Sequence, residues 1–193
     1  MITGAILAGG QARRFDGRDK SQLLVHGRAM LDRQVEAMRP VVDRLLLVGH
    51  GSPRLPADVE RVADRVDGCG PLAGLEAALH AGAGRPILLV GCDMPFVTTP
   101  LLAFLANALA DADAVVPETE RGYHPLCAVY APSCLGAVRR RLASRSLRLR
   151  GLFDEVRVRV IRGTDLARFG EPSHLLANVN TRADLDALES LNH

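Results

Sequence analysis

Short apolar runs alternate with stretches of helical spacing along the whole chain, and that alternation leaves few folds open to it. "ITGAILA", "RLLLVG", "PILLVG", "DAVVP", "LCAVYA" and "VRVRVI" read as strands, several of them nearly continuous in apolar residues. A strand with no polar face belongs in a sheet covered on both sides. Between these runs, residues 29–39, 72–82, 99–110, 132–143 and 181–191 repeat apolar side chains at helical spacing. "TTPLLAFLANAL" offers Thr99 as a cap with Pro100 at the first helical position, and "NTRADLDAL" offers Thr181 as a cap before Asp184. The expected fold is α/β: a three-layer α/β/α sandwich around a Rossmann-like, mainly parallel sheet. With 193 residues, no internal repeat and no linker rich in Pro, Gly or Ser, one domain over residues 1–193 is expected.

Composition removes several function classes. A net charge of +2 gives no field strong enough to argue for nucleic acid, and 4% aromatic residues without tryptophan leave little for base stacking. No apolar run approaches the roughly 20 residues of a membrane helix, and the start lacks a basic segment followed by a cleavage site. A cytoplasmic protein that binds neither membrane nor nucleic acid is expected. Cys69, Cys92, Cys127 and Cys134 form no C-x-x-C pair and have no histidine at zinc-finger spacing, so they read as small buried hydrophobes, with Cys92 packing in its strand.

In sheets of this kind ligands bind beyond the carboxyl ends of the strands. The first such loop is "LAGGQARRFDGRDKSQLL", residues 7–24. Its glycines allow close backbone approach, and consecutive amides can cradle an anion. Arg13, Arg14, Arg18 and Lys20 surround that backbone with positive charge, a combination suited to a polyphosphate. Lys20 is the only lysine; the other 23 long basic side chains are arginines. The stretch is neither a Walker loop, since Arg18 and Asp19 separate Gly17 from Lys20, nor a G-x-G-x-x-G fingerprint. A solvated basic loop is the bland alternative, and the solitary lysine weighs against it.

The second constellation is "ILLVGCDMPF", residues 87–96, where an apolar strand delivers Asp93 to its carboxyl edge and Pro95 stops continuation. One carboxylate there can hold Mg²⁺, which binds one or two protein carboxylates together with substrate phosphates and water. A turn-capping aspartate is the competing role. Polyphosphate and magnesium without a Walker motif suggest a nucleotidyltransferase. "GCGPLAGLEAAL" opens a helix whose N-terminus can face an anion, or is an ordinary strand-to-helix turn. "NVN", residues 178–180, sets two amides on one side of an extended segment, with helix capping by Asn180 as the alternative. His124 before Pro125 is either a site residue or a surface histidine.

Taken together, "LAGGQARRFDGRDK", "GPLAG", "CDMPF", "HPL" and "NVNT" resemble the molybdenum cofactor guanylyltransferase family (the MobA type), nucleotidyltransferases of Rossmann-like, nucleotide-diphospho-sugar transferase fold. The resemblance runs from about residue 3 to the C-terminal helix. It implies transfer of GMP from GTP onto the terminal phosphate of molybdopterin carrying molybdenum, with release of pyrophosphate. By matching position, Leu7, Ala8 and Gly9, with Gly10, hold the nucleotide through the backbone. Lys20 contacts the GTP phosphates, Asp64 helps hold the nucleoside, Asp93 binds Mg²⁺, and Asn178 and Asn180 lie near the pterin. GTP and the molybdopterin cofactor are the implied partners, with transient delivery or acceptor proteins. Two positions depart from the pattern. Phe15-Asp16 stand where members often have Met-Gly, and Val48 stands where an asparagine contacts the nucleotide.

The charges define the chemistry. Mg²⁺ on Asp93, with Lys20 and Arg14, neutralises the α-phosphate and the departing pyrophosphate, so catalysis is alignment and electrostatic stabilisation. The attacking phosphate is already ionised and needs no general base. A cytidylyltransferase acting on the same cofactor, or a sugar-phosphate nucleotidyltransferase, is the nearest alternative. A nucleotide-binding regulatory module without chemistry is another, against which Lys20 and Asp93 argue. The six arginines of "RRRLASRSLRLR", residues 139–150, raise an RNA-binding reading, but lack aromatic partners and read better as a solvated helical face and turn.

Overall fold

The apolar run nearest the N-terminus forms a strand, Thr3–Leu7 (β1), whose five residues are all buried. It lies inside an eight-stranded sheet in the computed structural model, which describes residues 1–8, 24–49, 55–66 and 68–190. Parallel to β1 on one side runs Arg44–Val48 (β4), then Val59–Val62 (β5); on the other side lies Ile87–Gly91 (β6). Beyond β6 the order continues through Cys127–Tyr130 (β9), Ala114–Thr119 (β7) and Val158–Ile161 (β10). Only β9 runs against the other six of this path, so the sheet is mainly parallel as expected. The short strand Gly122–Tyr123 (β8) folds back on β7.

Helices cover both faces, and the strand sequences show why. Ile6, Leu45, Leu47, Leu88 and Val90 point to one face, where they meet Met30–Met38 (α1) and Thr99–Asn107 (α3). Their neighbours Ala5, Leu7, Leu46, Val48 and Leu89 point to the other, against Pro71–Ala81 (α2) and Cys134–Ala143 (α4). Alternate side chains of each strand thus enter two different cores, and a continuous apolar run is the only pattern that fills both. Gly4 matters here: a Cβ at this position falls 2.9 Å from both Leu45 Cδ2 and Met38 Cε, so a larger residue would make both side-chain ends shift where α1 packs on β1.

Several elements differ from the sequence expectation. The hairpin Leu24–Val25 (β2) and Arg28–Ala29 (β3) has two residues per strand and so no periodicity to read. Its turn residues His26 and Gly27 both take positive φ, 50° and 76°, as tight hairpins require. β5 escaped notice because, at the sheet margin, it buries only Val59 fully and exposes Glu60 and Arg61. A 3₁₀ helix over Leu149–Asp154 and the single turns Thr164–Ala167 (α5) and Pro172–Leu175 (α6) are also too short for a periodic signal. The cap of α3 is Thr98 rather than Thr99, and the helix stops at Asn107. Thr99, freed from capping, donates its hydroxyl to the Ala37 carbonyl at 2.9 Å and ties α3 to α1. The final helix, Arg182–Ser190 (α7), starts after Thr181 as expected. All four cysteines are free; Cys92 lies in the turn after β6 rather than in the strand, half-buried.

Candidate active site

The carboxyl ends of β4, β1 and β6 lie abreast, with Leu7 opposite Val48 on one side and Gly91 on the other. From β1 the chain moves through α1 to β4; from β6 it moves through α3 to β7, in the opposite direction along the sheet. A crevice opens where connections diverge in this way, and ligands of open α/β sheets bind there. The Ala8 amide still donates to the Val48 carbonyl at 2.8 Å, so backbone pairing carries one residue past β1 before the first loop begins. Gly9, Gly10, Arg14 and Lys20, with Phe15 and Asp16, lie outside the described residues.

Asp93 sits half-buried in the turn that follows β6. That turn is pinned from several directions. Its Met94 amide donates to Gly91 O at 3.1 Å, and the Gly91 amide to Leu126 O at 2.7 Å. From α1, the fully buried Gln34 donates Nε2 to Gly91 O at 2.8 Å and Met94 O at 3.2 Å, and Arg33 Nε donates to Pro95 O at 3.1 Å. A Cβ on Gly91 would fall 2.7 Å from Asp93 Oδ1 and 3.3 Å from Leu126 Cβ. The glycine leaves the space into which the carboxylate folds.

Residues 178–180 join this turn directly. The Val179 amide donates to the Asp93 carbonyl at 2.7 Å. Val179 is buried while Asn178 and Asn180 are exposed, the alternation of extended chain that puts both amides on one side. Capping falls to Thr181 instead of Asn180: Thr181 Oγ1 accepts from the Asp184 amide at 3.0 Å, and Asp184 Oδ2 accepts from the amides of Asn180 and Thr181, both at 2.8 Å. This reciprocal arrangement is a capping box centred on Thr181. Below it, Val25, Met30, Phe96, Ala177, Val179 and Leu185 form a small separate core. Phe96 also lies against His174, ring centroids 4.2 Å apart, so the residue after "DMP" packs with Val25 of the β2–β3 hairpin and with Val179 of the "NVN" segment.

The "GPLAG" helix reaches the same end of the sheet. Gly70 takes φ 63° and Pro71 opens α2; a Cβ on Gly74 would sit 3.0 Å from Leu7 Cδ2, so the first turn of α2 rests on the end of β1. Asp64 follows β5 in the connection to α2, half-buried, and is separated from β1 by β4. Val48 is 1% exposed and packs in the α2-side core, so its side chain takes no part in the crevice. His124 directly follows β8, in the turn that leads into β9, its Nε2 2.8 Å from Thr119 Oγ1. Burial, then the nearby Arg150 and Arg121 cations, hold its imidazole below its ordinary pKa of 6.5. The basic stretch is only partly a solvated face: Arg141 pairs with Glu155 at 2.8 Å, and Arg150 donates to the Arg121 and Tyr123 carbonyls at 3.1 and 2.9 Å.

Sequence reasoning missed Gln34, Arg33 and Phe96. The first two occupy polar positions of an amphipathic helix and look solvated; Phe96 looks like ordinary core. Only the small spacing between Gln34 and the apolar positions Leu31, Val35 and Met38 hinted at burial.

A magnesium ion fits the donors present. Among the described residues no three His, Cys, Asp or Glu side chains cluster to cage a metal. The Asp93 carboxylate occupies the cradle that Gly91 leaves open. One carboxylate is a donor that Mg²⁺ can take together with substrate phosphates and water.

Comparison with known proteins identifies the family. Residues 4–160 match the pattern described as "MobA-like NTP transferase domain". The molybdenum cofactor guanylyltransferase of Desulfosudis oleivorans is 31% identical over 191 residues, covering 98% of this chain and 95% of its own. A probable molybdenum cofactor guanylyltransferase of Opitutus terrae is 36% identical over 146 residues, 73% of this chain and 72% of its own. Among solved structures, molybdopterin-guanine dinucleotide biosynthesis protein A of Archaeoglobus fulgidus superposes with a TM-score of 0.82 at 25% identity, covering 98% of both chains. The 2-C-methyl-D-erythritol 4-phosphate cytidylyltransferase of Thermus thermophilus, at 16% identity and TM-score 0.67 over 97% of both chains, shares the fold. By family pattern, by full-length relatives and by the crevice its strands build, this chain belongs to the MobA-like NTP transferase family.

Proposed function

We propose that this chain is a molybdenum cofactor guanylyltransferase: it transfers GMP from GTP to the terminal phosphate of molybdopterin carrying molybdenum and releases pyrophosphate. The observation that carries this reading is the junction of Asp93 with residues 178–180 through the Val179 amide, beside the end of β1. That bond brings the segment carrying Asn178 and Asn180 beside the turn carrying Asp93, and near-full-length relatives carry that activity in their names.

The backbone of Leu7, Ala8, Gly9 and Gly10 holds the nucleotide, and Asp64 holds the nucleoside. Lys20 and Arg14 supply positive charge to neutralise the triphosphate. Asp93 would hold Mg²⁺, which would supply positive charge to the α-phosphate and to the leaving pyrophosphate. Asn178 and Asn180 orient the pterin so that its phosphate oxygen meets the α-phosphorus in line. One P–O bond forms there as the bond to the β-phosphate breaks, and the electron pair leaves on pyrophosphate. An ionised phosphate monoester has no proton to surrender, so the side chains contribute alignment and charge and no general base.

The chain works as one nucleotidyltransferase domain in the cytoplasm, receiving its pterin from transient delivery proteins. No described helix is long and apolar enough to cross a membrane. The test is pyrophosphate release from a panel of GTP, CTP and ATP with Mg²⁺ and molybdopterin. GTP should exceed the others by several orders of magnitude, because a wrong base leaves buried polar groups unpaired. Turnover with CTP equal to that with GTP would replace this reading with the cytidylyl one. Asp93→Asn should abolish transfer with circular dichroism unchanged; near-normal activity would reduce Asp93 to a turn residue.

A further inference from the structure

Glu76 is a carboxylate placed on α2 among Leu72, Leu75 and Leu79, and it is only 5% exposed. Its Oε1 accepts from Arg139 Nε of α4 at 2.9 Å and lies 3.6 Å from Arg65 Nη1, in the connection between β5 and α2. Its Oε2 is buried without a hydrogen-bond partner among the described residues. Buried ion pairs of this sort contribute little net stability, and well-packed apolar side chains often replace them without loss. A leucine would suit the core of this helix better than a half-satisfied carboxylate. Stability of the fold therefore does not account for the charge.

Its location does. Arg65 is the residue after Asp64, and Glu76 holds it from within the folded core. A second link joins the same two parts of the chain: Arg145, just past α4, brings Nη1 to 3.8 Å from Cys69 Sγ, immediately before Gly70. The α4 end of the basic stretch thus reaches the segment between Asp64 and α2 directly, through Arg145 and Cys69, and by way of Glu76, whose Oε1 Arg139 and Arg65 share.

We propose that Glu76 is a positioning residue and that, with Arg139 and Arg145, it braces the connection carrying Asp64, fixing that carboxylate and the α2 N-terminus for the nucleoside half of GTP. The inference rests on the reading of Asp64 as a nucleoside contact. The arginines at 139 and 145 then serve the nucleotide site at a distance and touch no ligand.

The decisive variant is Glu76→Leu, which fills the same core position and frees Arg65. Thermal melting, GTP affinity by calorimetry, steady-state kinetics and hydrogen exchange of the 63–70 segment are measured on the full chain. The melting temperature should hold, Kd and KM for GTP should rise about 3- to 30-fold, and kcat and KM for molybdopterin should stay unchanged. Exchange in 63–70 should quicken while that of β1 and β6 does not. Adding Arg65→Leu should weaken GTP little further, because one tether is lost in either case. A lower melting temperature with unchanged GTP affinity and unchanged exchange would overturn the brace and make the triad merely structural. If Glu76→Leu does not fold, Arg145→Ala removes the exposed second tether and should give the same split at smaller size; no change there overturns the proposal. A wild-type chain that transfers no GMP, with exchange still loosened by Glu76→Leu, supports the brace and overturns the guanylyl reading.

Discussion

The Val179 amide donates to the carbonyl of Asp93 at 2.7 Å, and this single bond splices the C-terminal "NVN" segment onto the turn that carries the metal-binding candidate. Val179 is buried in the small core with Phe96, so the splice has packing beneath it as well as a hydrogen bond. The relative placement of Asp93, Asn178 and Asn180 is therefore set by the fold before any substrate arrives. Preorganisation of this kind is what a reaction limited by alignment and charge requires.

Gly91 tests how closely the Asp93 carboxylate must be placed. A methyl group there stands 2.7 Å from Asp93 Oδ1, and Leu126 at 3.3 Å blocks escape in the other direction. Gly91→Ala should rotate the carboxylate away and lower kcat roughly 10- to 100-fold, the scale on which displacements of about 1 Å act. The apparent Mg²⁺ requirement should rise with it. Unaltered kcat at limiting Mg²⁺ would mean that the carboxylate position is immaterial.

Gln34 tests the support beneath that turn. Gln34→Leu keeps the bulk but removes both bonds, to Gly91 O and Met94 O, in a place water does not reach. The expected cost is about 1–3 kcal/mol in a urea titration, or a few degrees of melting temperature for a chain of this size. Turnover should fall as well, because the released turn carries Asp93. Full activity in the folded variant would separate Gln34 from the site.

How much could be read beforehand follows from which signals are local. The strands β1, β4 and β6 and the helices α1 to α4 were legible because two-sided burial demands continuous apolar runs and amphipathic helices. Thr181 was legible as a cap because a capping box is written within four residues. The first loop and Asp93 stood out by chemical type against an arginine-rich, otherwise ordinary sequence. Gln34, Phe96 and Glu76 were not legible: their meaning lies in partners far along the chain, on other elements. β5 and the short hairpin failed for another reason, since a margin strand and a two-residue strand carry no apolar pattern of their own.

Stability should respond to pH in two separate windows. Asp113, at the start of β7, accepts from Ser133 Oγ at 2.6 Å, from the Arg157 amide at 2.9 Å and from Arg157 Nε at 3.2 Å. These bonds, the Ser133 one foremost, hold its carboxyl at about 2 against an ordinary 3.8. The unfolded chain then binds the proton more readily, so the contribution is complete above pH 3.8 and is lost as pH falls to about 2. Asp113→Asn should lower stability by about 1–2 kcal/mol at neutral pH and flatten that acid limb. His124 acts higher, because its lowered pKa starts to cost stability as pH drops below the ordinary 6.5. His124→Gln should reduce the upper slope and leave the acid limb alone, the remainder coming from His174, whose imidazole is also held below its ordinary value by burial and the nearby His26. Urea midpoints across both windows check this; parallel curves for wild type and Asp113→Asn below pH 3.8 would contradict the assignment.

Lys20 offers the sharpest test of the first loop, on sequence grounds. It is the only lysine beside 23 arginines, so a position indifferent to the difference should hold arginine here too. A compact ammonium on a slim stem can enter a crowded phosphate loop, whereas a planar guanidinium needs more width and presents a different donor geometry. Interactions that strengthen as charge develops on departing pyrophosphate are sensitive to such displacement. Lys20→Arg should therefore lower turnover roughly 10- to 1,000-fold, about 1.4–4 kcal/mol of transition-state stabilisation. Melting temperature should barely move. Arg18→Lys, two residues earlier and equal in charge, serves as the control and should have the smaller effect. Steady-state kinetics of both variants beside their melts decide the matter: unchanged kcat and KM for GTP in Lys20→Arg would make the solitary lysine an accident of composition and remove it from the site.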